Sequence, residues 1–121
     1  MNTQGIHLAW IVVKDIQKAI KFYTEVVGLA LREFNTEFGW AELSGPDGAA
    51  LGIAQHSSHS EIQPGQNAVM TITVKDLDVA LKDWKKRGVK LVGEIMEIPG
   101  QVKLQTFVDQ DGNTLQLCQK L

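Results

Sequence analysis

The sequence predicts an α+β protein made of two β-α-β-β-β modules, and three observations predict it. Residues 10–23, WIVVKDIQKAIKFY, return as residues 71–84, TITVKDLDVALKDW, at an offset of 61 positions, with identities at Ile11/Ile72, Val13/Val74, Lys14/Lys75, Asp15/Asp76, Ala19/Ala80 and Lys21/Lys82. Residues 43–54, LSGPDGAALGIA, return as residues 107–118, FVDQDGNTLQLC, at an offset of 64. Within each half the apolar pattern runs from strand-like to helical and back to strand-like. A repeat at fixed spacing dictates architecture, and it lets any functional position in one half locate its counterpart in the other.

Residues 6–13 are apolar except for His7 and rich in Ile and Val, which reads as a strand covered on both faces. Asp15 has N-cap chemistry, since its carboxylate can accept from free amides of a first helical turn. Ile16, Ala19, Ile20, Tyr23, Val26 and Val27 follow at helical spacing, and Gly28 suits a left-handed C-cap. Residues 29–34 and 38–43 read as strands, the run 45–48 (GPDG) as a turn, and residues 50–55 as a fourth strand. The polar stretch 56–66 is the linker. The second half has a strand at 68–74, a helix capped by Asp76 and ended by Gly88, and strands near 90–94, 102–108 and 114–119. The turn before the last strand is DQDGN, residues 109–113. Each half is too small to bury its own sheet face, so residues 1–121 are expected to form one domain, with modules at about 5–55 and 67–120.

Composition narrows the function. Hydrophobic residues make up 44% and charged residues 21% of the 121 positions, as in ordinary globular proteins. A net charge of −2 gives no support to a nucleic-acid partner. Lys82, Lys85, Lys86 and Arg87 interleave with Asp83 on a helix and read as a solvated face. No apolar run is long enough for a membrane span, and no signal peptide is visible at the start. The single Cys118 precludes an internal disulfide, and the expected setting is cytoplasmic.

The Val-Lys-Asp–helix opening, FYTEVVGL at residues 22–29 and FVDQDGNTLQL at residues 107–117 together resemble the vicinal oxygen chelate superfamily. This group includes glyoxalase I, extradiol dioxygenases, fosfomycin resistance proteins and bleomycin-binding proteins. The resemblance covers essentially the whole chain. It implies that the two modules form one eight-stranded, cupped mixed sheet with helices on the outer face, a ligand in the cup, and a homodimer. Fold alone does not settle function.

Catalytic members hold a divalent metal with four side chains, mostly His and Glu. The resemblance places these seven residues before each helix-opening Asp and four after each turn glycine. Those positions hold Leu8, Val69, Gly52 and Gln116. Three of the four cannot donate an electron pair, and one amide oxygen cannot hold a catalytic metal, so neither a metal nor another cofactor is expected. A shifted site would have to draw on His7, His56 or His59. His7 lies one residue from the implied position, and a one-residue shift turns a strand side chain to the opposite face unless a bulge re-aims it. His56 and His59 sit in the polar linker without a neighbouring carboxylate pair or cysteine.

Strand alternation assigns Leu8, Trp10 and Val12 to the cup, and Ile11 and Val13 to the helices. Val69, Thr71 and Thr73, then Ala50, Gly52 and Ala54, then Thr114, Gln116 and Cys118 also face the cup. The candidate ligand-binding residues are therefore Trp10, Trp40, Glu42, Gly52, Val69, Thr71 and Gln116. The indoles of Trp10 and Trp40 would stack on a flat molecule, Gly52 and Ala54 would leave it volume, and Gln116, Thr71 and Glu42 would orient it. No catalytic residue is assigned. Cys118 lacks an activating base, and Ser57 and Ser58 lack a nucleophile elbow. The leading expectation is a metal-independent binder of a small, partly aromatic organic molecule. The alternatives are a lyase or dioxygenase with an atypical metal site using His7, Gln116 and Glu42, and a dimerisation or regulatory module without a ligand.

Overall fold

The computed structural model describes residues 2, 4, 7–58, 62–66 and 69–121, and the chain divides into two compact units, Met1–Gln63 and Pro64–Leu121. In the first unit, β1 (Ala9–Val13) leads into α1 (Ile16–Lys21), a π-helical turn (Phe22–Val26), β2 (Ala30–Asn35), β3 (Trp40–Ser44) and β4 (Leu51–Gln55). The second unit repeats the order: β5 (Met70–Thr73), α2 (Leu77–Lys86), β6 (Lys90–Ile98), β7 (Val102–Val108) and β8 (Thr114–Lys120). The sheets are ordered β1-β4-β3-β2 and β5-β8-β7-β6, with the first strand of each module parallel to its last and the other pairs antiparallel. The α+β class and both β-α-β-β-β modules are thus as the sequence predicts.

Alternation builds each core. Ile11 and Val13, Ala41 and Leu43, and Leu51 and Ile53 are buried with Ile16, Ala19 and Tyr23 of the helical segment. In the second unit Leu77, Leu81 and Trp84 of α2 are buried with Phe107, Leu115 and Leu117. The Trp84 and Phe107 rings meet edge to face at 4.9 Å.

Both helix starts are capped as expected. Asp15 Oδ1 accepts from the amides of Gln17 and Lys18 at 3.1 and 3.2 Å, and Asp76 Oδ1 from Val79 at 3.1 Å. A second cap comes from the last strand of each module. Gln55 Oε1 accepts from Ile16 N, and Gln119 Oε1 from Leu77 N, both at 2.8 Å. Gln55 and Gln119 are themselves related by the offset of 64.

Several boundaries differ from expectation. β1 begins at Ala9, with exposed His7 and half-buried Leu8 ahead of it; Gly5 and Ile6 lie outside the described residues, as do Ala68 and His59. The regular α-helix stops at Lys21, where Thr24 Oγ1 donates to Ile20 O at 2.7 Å. A hydroxyl taking up a helical carbonyl competes with the backbone ladder, which here widens to Val27 N–Phe22 O before Gly28 ends the segment at φ 90°. β3 starts two residues late, because Asn35 Oδ1 accepts from Phe38 N and turns the chain through Gly39 at φ 63°. Phe38 is consequently 79% exposed.

The largest difference is β6, which continues to Ile98. Val92 pairs with Thr106 and Met96 with Leu104, so Gly93, Glu94 and Ile95 face the single residue Gln105. Such an insertion leaves ladder carbonyls unpaired. Gln105, only 3% exposed, satisfies them: its Nε2 donates to Val92 O and Gly93 O, each at 3.2 Å.

The predicted 109–113 turn is held by its own side chains. Asp109 Oδ1 accepts from the amides of Asp111 and Asn113 at 2.9 Å, and Asp109 Oδ2 accepts from Asn113 Nδ2 at 2.9 Å. Buried Asn113 also accepts from Gly65 N at 2.8 Å, tying the end of the linker to this turn.

Candidate functional site

In the first unit the structure brings Trp10, Trp40, Glu42 and Gly52 onto one patch. Trp10 pairs with Gly52 across β1 and β4, and Gly52 pairs with Glu42 across β4 and β3. Trp40 and Glu42 share a face two residues apart, and the Trp40 indole N–H donates to Glu42 Oε2 at 3.1 Å. The two indoles meet edge to face at 6.2 Å with an interplanar angle of 63°. Trp10 remains 45% exposed.

Gly52 does not leave open volume, which corrects the expectation for that position. A Cβ there would lie 2.4 Å from Trp40 Cη2, 2.7 Å from Cζ2 and 2.9 Å from Trp10 Cβ. The absent side chain is the seat of the Trp40 ring. Val12 is buried rather than available to a ligand, while Ala54 is half-buried.

The second unit places its share on β5 and β8. Thr71 pairs with Gln116 in the parallel register. Val69, just ahead of β5, is 52% exposed, and Thr71 is exposed. Gln116 is half-buried, and its amide donates to Thr106 Oγ1 at 3.4 Å. Cys118 is a buried free thiol. An open depression of about 520 Å³ between α2 and β6, lined in part by Leu81, Lys85, Ile95 and Gln105, shares no residue with the predicted set.

These positions do not fit a divalent metal. Leu8, Gly52 and Val69 carry no donor atom, Gln116 offers one amide oxygen, and the Trp40 ring fills the space a ligating side chain at 52 would need. Glu42, considered for a shifted site, is engaged with the indole of Trp40. Exposed His7 precedes β1, and His56 is held through its backbone amide to Val13 O at 2.8 Å. Among the described residues no group of three or more His, Cys, Asp or Glu could hold a metal ion.

Sequence reasoning missed Gln105, Gln55 and Gln119 as organising residues. The repeat carried a signal for the last two, since they occupy equivalent ends of β4 and β8.

Comparison with known proteins supplies the family. No curated protein matches this sequence. Among solved structures, TnmS3, an antibiotic binding protein from Streptomyces sp. CB03234, is 24% identical with a TM-score of 0.83, covering 100% of this chain and 99% of its own. A glyoxalase/bleomycin resistance protein from the same organism is 25% identical with a TM-score of 0.78, covering 93% of this chain and 97% of its own. A superfamily member from Sphaerobacter thermophilus DSM 20745 is 22% identical with a TM-score of 0.82, covering 99% of this chain and 100% of its own. The family model matches residues 5–117, and the chain therefore belongs to the Glyoxalase/Bleomycin resistance protein/Dioxygenase superfamily.

Proposed function

We propose that this protein binds a small, partly aromatic organic molecule without a metal and without chemical turnover. The observation that carries this reading is the indole pair. Trp40 is seated on Gly52, its N–H is oriented by Glu42, and it abuts a Trp10 that keeps nearly half its surface open. Exposed, pre-oriented aromatic surface favours flat ligands because little side-chain freedom is lost on binding. On the second unit, Val69, Thr71 and Gln116 remain the candidate ligand-binding residues. Against the atypical-site lyase and dioxygenase alternatives stands the engagement of Glu42 with the Trp40 indole and of Gln116 with Thr106. The antibiotic-binding character of TnmS3 is in keeping with a sequestering role.

The proposed working form is a cytoplasmic homodimer. The exposed apolar side chains of β6, Val92, Met96 and Ile98, support an association surface, and a lone free cysteine suits a reducing compartment. Light scattering tests the dimer.

The binding experiment is calorimetric titration with a panel of polycyclic aromatic antibiotics, followed by Trp10→Ala and Trp40→Ala. Saturable binding weakened at least tenfold by either change is expected. A panel with no binder, or a binder indifferent to both changes, would refute the reading.

A further inference from the structure

The indole pair is edged by negative charge. β2 pairs with β3 so that Glu33 lies directly opposite Glu42, across a register shift that inserts Arg32 between Leu31 and Glu33. Directly opposed residues of antiparallel strands project from the same face, with Cβ atoms about 4.5–5.5 Å apart. Like charges so placed repel. Among the described residues, neither carboxylate has an ion partner within 4.0 Å. The nearby cation, Arg32, donates through Nε to Ser44 Oγ at 2.9 Å, two residues along β3 from Glu42, and pairs with neither carboxylate. Glu42 does no more than hold the Trp40 N–H, and Glu33 is exposed.

The geometry points to a flat organic cation as the ligand class: an aromatic ring that bears, or is itself, an ammonium-type charge. The face of Trp10 or Trp40 attracts such a charge through the ring quadrupole, and the two carboxylates, outnumbering the one nearby guanidinium, gain a close counter-charge. A neutral ring of the same shape would gain the stacking alone, and an anion would meet repulsion. This inference rests on the reading of the indole pair as a ligand platform and adds the sign of the ligand's charge.

Three probes of nearly one shape separate the two ideas: N-methylquinolinium, the uncharged methylnaphthalene and the anion naphthoate, each titrated against the full chain. The cation is expected to bind about tenfold more tightly than the neutral probe, and naphthoate more weakly than either. Glu33→Gln/Glu42→Gln, which retains an acceptor for the Trp40 N–H, should cut the cation-to-neutral affinity ratio to the roughly two- to fivefold that the ring faces alone supply. Added salt should shrink the ratio in the unaltered protein. Equal affinity for cation and neutral probe would overturn the charge inference and leave the platform standing. A preference undiminished in the double variant would also overturn it. Failure of all three probes to bind would reject platform and charge together.

Discussion

Replacing Gly52 by alanine tests the seat of Trp40 directly. A new Cβ would lie 2.4 and 2.7 Å from the far edge of the indole and 2.9 Å from Trp10 Cβ. The ring edge can swing away, but the Trp10 Cβ is attached to the paired backbone of β1 and has little freedom. Displacing the ring forfeits its bond to Glu42, and hydrogen bonds to charged groups contribute about 1.5–3 kcal/mol. It also forfeits the edge-to-face pairing with Trp10, worth about 0.5–1.5 kcal/mol. Against this, alanine is better than glycine in a strand by roughly 0.5–1 kcal/mol. The net expectation is a loss of about 1–4 kcal/mol, measured as a lower urea midpoint at unchanged slope. Fluorescence should report a Trp40 more exposed to quencher. In a Trp40→Ala background the added methyl meets no ring, so the same change should cost less than half as much. A Gly52→Ala protein as stable as the parent, or a cost undiminished without Trp40, would refute the steric argument.

Other outcomes follow from groups held elsewhere. Gln105→Leu removes the donor that satisfies two carbonyls of the β6 insertion and should cost about 1–3 kcal/mol, with faster amide exchange concentrated in β6; uniform exchange across the sheet would contradict this role. Asn113→Ala breaks the contacts with Asp109 and Gly65 and should lower stability by about 2–3 kcal/mol in denaturant titrations, whereas a neutral effect would mean that the turn holds without it. Asp76→Ala should destabilise the protein by about 1 kcal/mol through loss of the α2 cap, read from the same titration. Adding zinc, nickel or manganese, or removing metal with a chelator, should leave the melting temperature unchanged; a large chelator-reversible shift would overturn the metal-free reading.

What could be read in the sequence was what local chemistry decides. Asp15 and Asp76 announced helix starts because a short carboxylate before an apolar helical pattern has few other uses. Ile11, Val13, Leu43 and Ile53 fell on the buried face because strand alternation sorts them without knowledge of the partner strand. The patch could be read only in part. Trp10, Trp40, Glu42 and Gly52 were assigned to one face, yet the filling of the Gly52 space depends on the rotamer of Trp40 and on pairing between β3 and β4. The length of β6 was hidden for a similar reason: Gly93 interrupts the strand pattern, and the residue that repairs the interruption, Gln105, lies on another strand.

The bonds from Gln55 and Gln119 carry a consequence for how the chain is made. In each module the helix that follows the first strand is completed by a residue from the last strand, 39 and 42 positions later. As the polypeptide leaves the ribosome, α1 emerges with the Ile16 amide still waiting for Gln55. Everything that completes α1 therefore lies within the first module, and its helix can be finished without a contact from the second. The second module is built the same way, with Gln119 closing the start of α2 from its own last strand.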